Sequence, residues 1–273
     1  MSEDAQDGGI GIIAGSGQFP FLIADSARKA GEKVFICGLC GNADPALRDR
    51  ADEFAMVRLG ELGKLIAFFK RHQVRRLCMA GAVSKPRALD LRPDLRVAKL
   101  IFQLAGKGKG DDAVLRAVAD ELQSEGFCVV RPDFLAPDLR CAPGVLGKTR
   151  PGPEIARDIE FGRGIARSIG ALDIGQCVVV RAGIVVAVEA MEGTDATLER
   201  GGVLGGAGCT AVKVVKPGQD RRMDLPSVGA GTLELMARHK YACLAFEAEG
   251  ALFFDRPAAL VLADEHGIAV VAL

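Results

Sequence analysis

Tryptophan is absent from this chain, tyrosine occurs once and histidine three times. The histidines, His72, His239 and His266, fall in or near predicted helices without a partner spacing, and no G-x-S-x-G elbow occurs. A Ser-His-Asp hydrolase and a histidine-rich metal site therefore lack support. Net charge is also missing, with 35 Lys and Arg against 35 Asp and Glu. No overall field draws the protein to nucleic acid, and any phosphate binding must be local. No stretch approaches the roughly 20 apolar residues of a membrane span, and the opening "MSEDAQDGG" is acidic where a signal peptide is basic and then apolar. The expectation is a soluble, cytoplasmic protein. The eight cysteines are scattered, mostly in apolar runs where Cys behaves as a small hydrophobe. Cys37 and Cys40 form a lone CxxC without a second pair, and bystander thiols are favoured over half a zinc site.

What is present is alternation. In the first half, apolar runs at 9–14, 33–39, 75–81 and 126–132 read as buried strands, and amphipathic stretches at 19–31, 62–73 and 111–126 as helices. This predicts an α/β chain with a parallel, Rossmann-like domain over 1–134. Residues 135–153, rich in proline and without periodicity, read as a linker. The remainder, 154–273, opens with a helix, continues through a hairpin at 176–190, and adds strands at 209–215, 241–254 and 267–273 with helices near 229–239 and 256–266. It reads as a distinct mixed α/β domain. The stretch 95–106 is apolar on most faces and reads as a core helix, with the wall of an apolar groove as the alternative.

The stretch "GIIAGSGQFP" (11–20) resembles a dinucleotide cradle but lacks its parts. Gly15 and Gly17 fit a G-x-G-x-x-G pattern, yet Pro20 replaces the third glycine and no acid follows the second strand. A strand, a glycine turn and a helix start remain, which either form a plain tight turn or favour an anion. "APGVLGKT" (142–149) imitates a P-loop with alanine for the first glycine and no strand before it, and is rejected. The acids are more informative. "VEAMEGTDATLER" (188–200) sets Glu189, Glu192 and Asp195 in or beside a strand-to-helix turn that Thr194 or Asp195 could cap. "VKVVKPGQDRRMDLPSVG" (212–229) leaves a strand through Lys213 and Lys216 and crowds Asp220, Arg221, Arg222 and Asp224 into a loop. Hard oxygen ligands beside lysines and arginines suit magnesium bound to a phosphate ester. A solvated charged loop is the competing reading, as it is for "GKGKGDDA" (106–113).

Together "GIIAGSGQFP", "KGDDAVL" (109–115), "EAMEGTDATLERGG" (189–202) and "VKVVKPGQDRRMDLPSVG" resemble one family over 9–273, in order and spacing. It is the magnesium-dependent UDP-2,3-diacylglucosamine pyrophosphatase of lipid A synthesis, of the type unrelated to calcineurin-like phosphoesterases. The resemblance implies a ligand cleft between the two domains and hydrolysis to 2,3-diacylglucosamine 1-phosphate (lipid X) and UMP, by water attack at the β-phosphorus. It further implies catalytic Asp224, Asp195 and Glu192, with Asp224 and Asp195 on Mg2+. Substrate would be held by Gly15, Ser16, Gly17, Gln18, Gly81, Lys109, Asp111, Thr194, Lys213, Lys216 and Arg222. A lipid-linked nucleotide sugar as substrate, a homodimer through the C-terminal domains and transient contact with the inner membrane surface complete the implications. A sugar-nucleotide oxidoreductase and a non-catalytic nucleotide-sensing module are the alternatives.

Overall fold

Apolar runs without alternation need cover on both faces, and that requirement organises the first half of the chain. The computed structural model describes residues 8–83, 93–104, 111–217, 220–222, 225–248 and 250–273. The described residues divide into two units, Met1–Pro137 with Asp220–Met223, and Asp138–Gln219 with Asp224–Leu273. In the first, β1 (Ile10–Ala14), β2 (Val34–Leu39), β3 (Glu53–Val57), β4 (Arg76–Ala80) and β5 (Cys128–Val129) pair in parallel in the order β3-β2-β1-β4-β5. Every residue of β1 and β2 is buried.

The helices follow from sequence punctuation. Pro20 sits in the first turn of α1 (Phe19–Lys29), where its missing N–H costs nothing, and Arg28 and Lys29 close the last turn against the helix dipole. Helix α2 (Leu62–Arg71) buries Leu62, Leu65, Ile66 and Phe69 at helical spacing. With α3 (Leu95–Leu104) and α4 (Asp111–Ser124) it covers one sheet face, where Phe69, Leu100 and Leu122 join Ile13, Phe35 and Leu77 in one cluster. The short α5 (Pro132–Leu135) ends the unit's main run. Strand order reverses between β1 and β4, the place where open parallel sheets leave a crevice at their carboxyl ends.

The second unit has a six-stranded sheet of β6 (Gly144–Val145), β7 (Cys177–Arg181), β8 (Ile184–Val188), β9 (Thr210–Lys213), β11 (Cys243–Phe246) and β13 (Ala269–Ala272), in the order β6-β13-β11-β9-β7-β8. Strands β9, β11 and β13 are parallel, and β7, β8 and β6 pair antiparallel. Helix α6 (Pro153–Ala171) covers one face over Val178, Val180, Val212 and Ala245. On the other, α7 (Thr194–Gly205), α8 (Ala230–Arg238) and α9 (Arg256–Glu265) cover Val179, Ala211, Leu244 and Val270. A two-stranded sheet of β10 (Ser227–Val228) and β12 (Leu252–Phe253) lies beside α8 in the chain. The hairpin turns on Ala182 and Gly183, both at positive φ, and Asp158 of α6 accepts their backbone N–H groups at 2.9 and 2.7 Å. Tyr241, 2% exposed, donates its hydroxyl to the Leu198 carbonyl at 2.6 Å in this core.

The stretch expected as a linker, 135–153, is built into structure. Val145 and Gly144 pair with Val271 and Ala272, and Asp264 accepts the backbone N–H groups of Lys148 and Thr149 at 2.7 and 3.1 Å. A two-residue strand has no periodicity of its own; its partner creates it. The same bonds occupy the P-loop look-alike. No helix among the described residues is long and apolar enough to cross a membrane.

Candidate functional site

In the first unit the switch point is a seam. Gly15 N–H donates to the Ala80 carbonyl at 2.8 Å, Ser16 N–H to Ala82 at 2.7 Å, and Ser16 Oγ to the same carbonyl at 3.0 Å. Ala82 N–H returns a bond to Ser16 at 3.2 Å. The turns after β1 and β4 are thereby tied together, which brings Gly15, Ser16, Gly17 and Gly81 to one place, with Gln18 as the N-cap residue of α1. Glycine is demanded by this approach: a Cβ on Gly15 would lie 2.4 Å from the Ala82 carbonyl oxygen and 2.8 Å from that of Gly81. Gly15→Ala is expected to cost about 2–3 kcal/mol, as overpacking against backbone does, read as a lowered urea midpoint by far-UV circular dichroism. Gly17, at φ 88°, faces open space. Ser16 keeps its lone pairs for a ligand, since its proton is committed to Ala82.

In the second unit the carboxyl end of β9, the start of β7 and the end of β8 share one sheet edge, because Cys177 pairs with Lys213 and Val178 with Val188. Strand parity sends Lys213 to the side of α7 and α8, with Ala211. Lys213 is 8% exposed, and its Nζ makes one hydrogen bond, 3.0 Å to the Ser227 carbonyl, and no ion pair among the described residues. A buried cation with a single neutral partner has unmet demand for an anion. Glu189, 6% exposed, accepts from Gln176 N–H at 3.1 Å and from Thr194 Oγ1 at 3.0 Å. The Oε1 atom of Gln176 is buried without a hydrogen-bond partner among the described residues. Burial pushes the Cys177 thiol up to about 12, with Lys213 opposing and Glu189 and Asp195 adding to the shift. These three charges thus act on one point. Asp195 itself is exposed, in the first turn of α7, whose N-cap Gly193 has φ 83° and no side-chain cap.

The other expected residues are placed differently. Glu192 accepts from Ala190 N–H at 3.2 Å, Thr197 Oγ1 at 3.4 Å and Arg200 Nη2 at 2.5 Å. Its own backbone N–H and then Arg200 hold its carboxyl below the usual carboxylate range. Lys216 donates to Asp173 at 3.0 Å. Arg222 belongs to the first unit, where it clasps Asp220 through Nε at 2.9 Å and Nη2 at 2.5 Å and donates to Gln123 at 2.8 Å. Asp220 is held low chiefly by that guanidinium. Asp111 opens α4. Lys109 and Asp224 lie outside the described residues. Glu189 stands out in the sequence only as one acid of a turn, and Gln176 not at all; a glutamine at the start of a strand carries no signal of its own.

Cys37, pushed up to about 12 chiefly by burial and then by Cys40, is an inert core thiol. Among the described residues no three His, Cys, Asp or Glu side chains are grouped to hold a metal. The donors at the β9 edge are carboxylates, the type magnesium takes one or two of before filling its shell with water and phosphate oxygens. Asp195 fits that demand, whereas Glu192 is committed to Arg200.

Models of the LpxI N-terminal domain and the LpxI C-terminal domain match residues 9–139 and 142–271. A curated relative, the UDP-2,3-diacylglucosamine pyrophosphatase LpxI of Caulobacter vibrioides (strain ATCC 19089 / CIP 103742 / CB 15), is 39% identical over 274 residues, covering 97% of each chain.

Proposed function

Since this chain belongs to the LpxI family along nearly its whole length, we propose that it hydrolyses the pyrophosphate of UDP-2,3-diacylglucosamine to 2,3-diacylglucosamine 1-phosphate and UMP. The observation that carries the phosphate chemistry is Lys213, a buried cation without an ion pair among the described residues, at the carboxyl end of a parallel strand. A pyrophosphate supplies an anion for that cation to bind. Thr194 gives its proton to Glu189, so its oxygen presents lone pairs outward, beside uncapped N–H groups at the start of α7. Glu192, clasped by Arg200, keeps this turn in shape. Gly15, Ser16, Gly17, Gln18 and Gly81, with Lys109, Asp111, Lys216 and Arg222, serve the remaining parts of the substrate.

Magnesium on Asp195 and Asp224 would neutralise pyrophosphate oxygens and steady the charge on the leaving oxygen. Water adds to the β-phosphorus, the α–β bridging oxygen departs with UMP, and the attacking water's protons are released to solvent. Lys213 holds a phosphate oxygen in line during that exchange. Incubation with UDP-2,3-diacylglucosamine in oxygen-18 water, with and without magnesium, tests both bond and metal. The label is expected in the phosphate of lipid X and not in UMP, and only with magnesium. Label in UMP moves the attack to the α-phosphorus, and absence of both products removes the assignment.

Pairing of C-terminal domains into a homodimer is supported by Ile184, Val203 and Leu204, 68%, 70% and 66% exposed, on or near the hairpin whose strand β8 ends the sheet.

A further inference from the structure

Helix α3 has two apolar faces, and the core accounts for only one. Leu100 is 8% exposed and Val97 packs with it against the first unit's core. Arg96 fastens the helix to α4, donating to Glu121 at 2.8 Å and pairing also with Glu125. On the opposite side, Leu95 is 91% and Phe102 82% exposed. These two are seven residues apart, two helical turns, and share one face with Ala98 and Lys99, both also exposed. Ile101, 51% exposed, flanks it. A leucine and a phenylalanine held almost wholly in water on a helix already anchored by its inner face mark a surface built for a partner.

We propose that α3 docks this protein on an anionic lipid bilayer, with Leu95 and Phe102 entering the boundary between headgroups and acyl chains. Charge selects the occupant. In a chain of zero net charge, α3 carries Arg96 and Lys99 and no acid, and Lys99 stands on the apolar face itself. A basic, amphipathic helix with aromatic and leucine on its outer face is the composition that lies in a membrane interface. The proposal rests on the functional reading for its purpose: a substrate with two acyl chains partitions into a bilayer, so an enzyme that consumes it gains by working there.

Flotation of the full chain with vesicles tests this without measuring turnover, so docking and substrate assignment fail separately. The wild-type protein is expected to float with phosphatidylglycerol–phosphatidylethanolamine vesicles and far less with phosphatidylcholine alone. Leu95→Ser with Phe102→Ser, its fold checked by circular dichroism, should weaken partitioning on the order of ten- to a hundredfold. Lys99→Glu, at an exposed position, should weaken it several-fold at low salt and supplies an answer even if the double variant folds poorly. Wild-type protein that stays unbound, or variants that float like it, overturn the proposal. So does an oligomer that the double variant dissolves in ultracentrifugation, which would make the face a contact between copies of this chain.

Discussion

Lys213→Met is expected to lower turnover of UDP-2,3-diacylglucosamine by about two to three orders of magnitude, the loss typical of removing one preorganised donor from a developing oxyanion, while leaving the fold as stable or more so. The two halves of this outcome have one cause. Burying an ammonium that has no ion pair among the described residues costs several kcal/mol even after relaxation. Leaving the Ser227 carbonyl unpaired costs about 1–3 kcal/mol, so the relief outweighs the loss, and methionine fills the same volume. Activity and stability should therefore move in opposite directions, a signature of strain kept for function. Steady-state kinetics beside a urea titration decide it. A variant that unfolds more easily yet turns over within tenfold of wild type would make Lys213 a strut between β9 and β10.

Asp224→Ala is expected to remove turnover by a factor of about a thousand or more, a loss that deleting a metal-orienting carboxylate can produce, with KM for substrate changed far less. Its assignment comes from the family resemblance carried by "VKVVKPGQDRRMDLPSVG", in which Asp224 stands two positions before Pro226. The effect should appear in kcat across all magnesium concentrations, because the substrate-holding roles proposed for the glycine turn and for Lys213 do not depend on the Asp224 carboxylate. Near-wild-type kcat in this variant would remove Asp224 from the reaction and leave Asp195 to account for the metal alone.

Strands β1, β2 and β4 are readable in the sequence because burial on both faces forces unbroken apolar runs, and the hairpin because Ala-Gly interrupts two β-branched ones. Strand β3 is not, since it is an edge strand that buries only Val57 and begins on an exposed glutamate; half-solvated strands lose the pattern that marks them. Strand β6 exists only by pairing with β13. Lys213 is readable as a cation at a strand end, but its burial without an ion pair among the described residues is not, because that depends on β7 and β10 arriving from elsewhere in the sequence. Glu192 shows the reverse. Its residue type suits metal chemistry, yet Arg200, eight positions on, reaches back along α7 and takes one of its oxygens.

Tyr241 gives the absence of tryptophan a practical meaning. It is the chain's sole phenol, beside thirteen weakly emitting phenylalanines, and it is bonded to Leu198 in the core of the second unit. Intrinsic fluorescence of this protein is consequently a one-site optical reporter of that unit's core. An emission curve with a single sigmoid describes the melting of one half of the polypeptide, and agreement with a probe of the whole backbone is needed before any unfolding of this protein is treated as all-or-none.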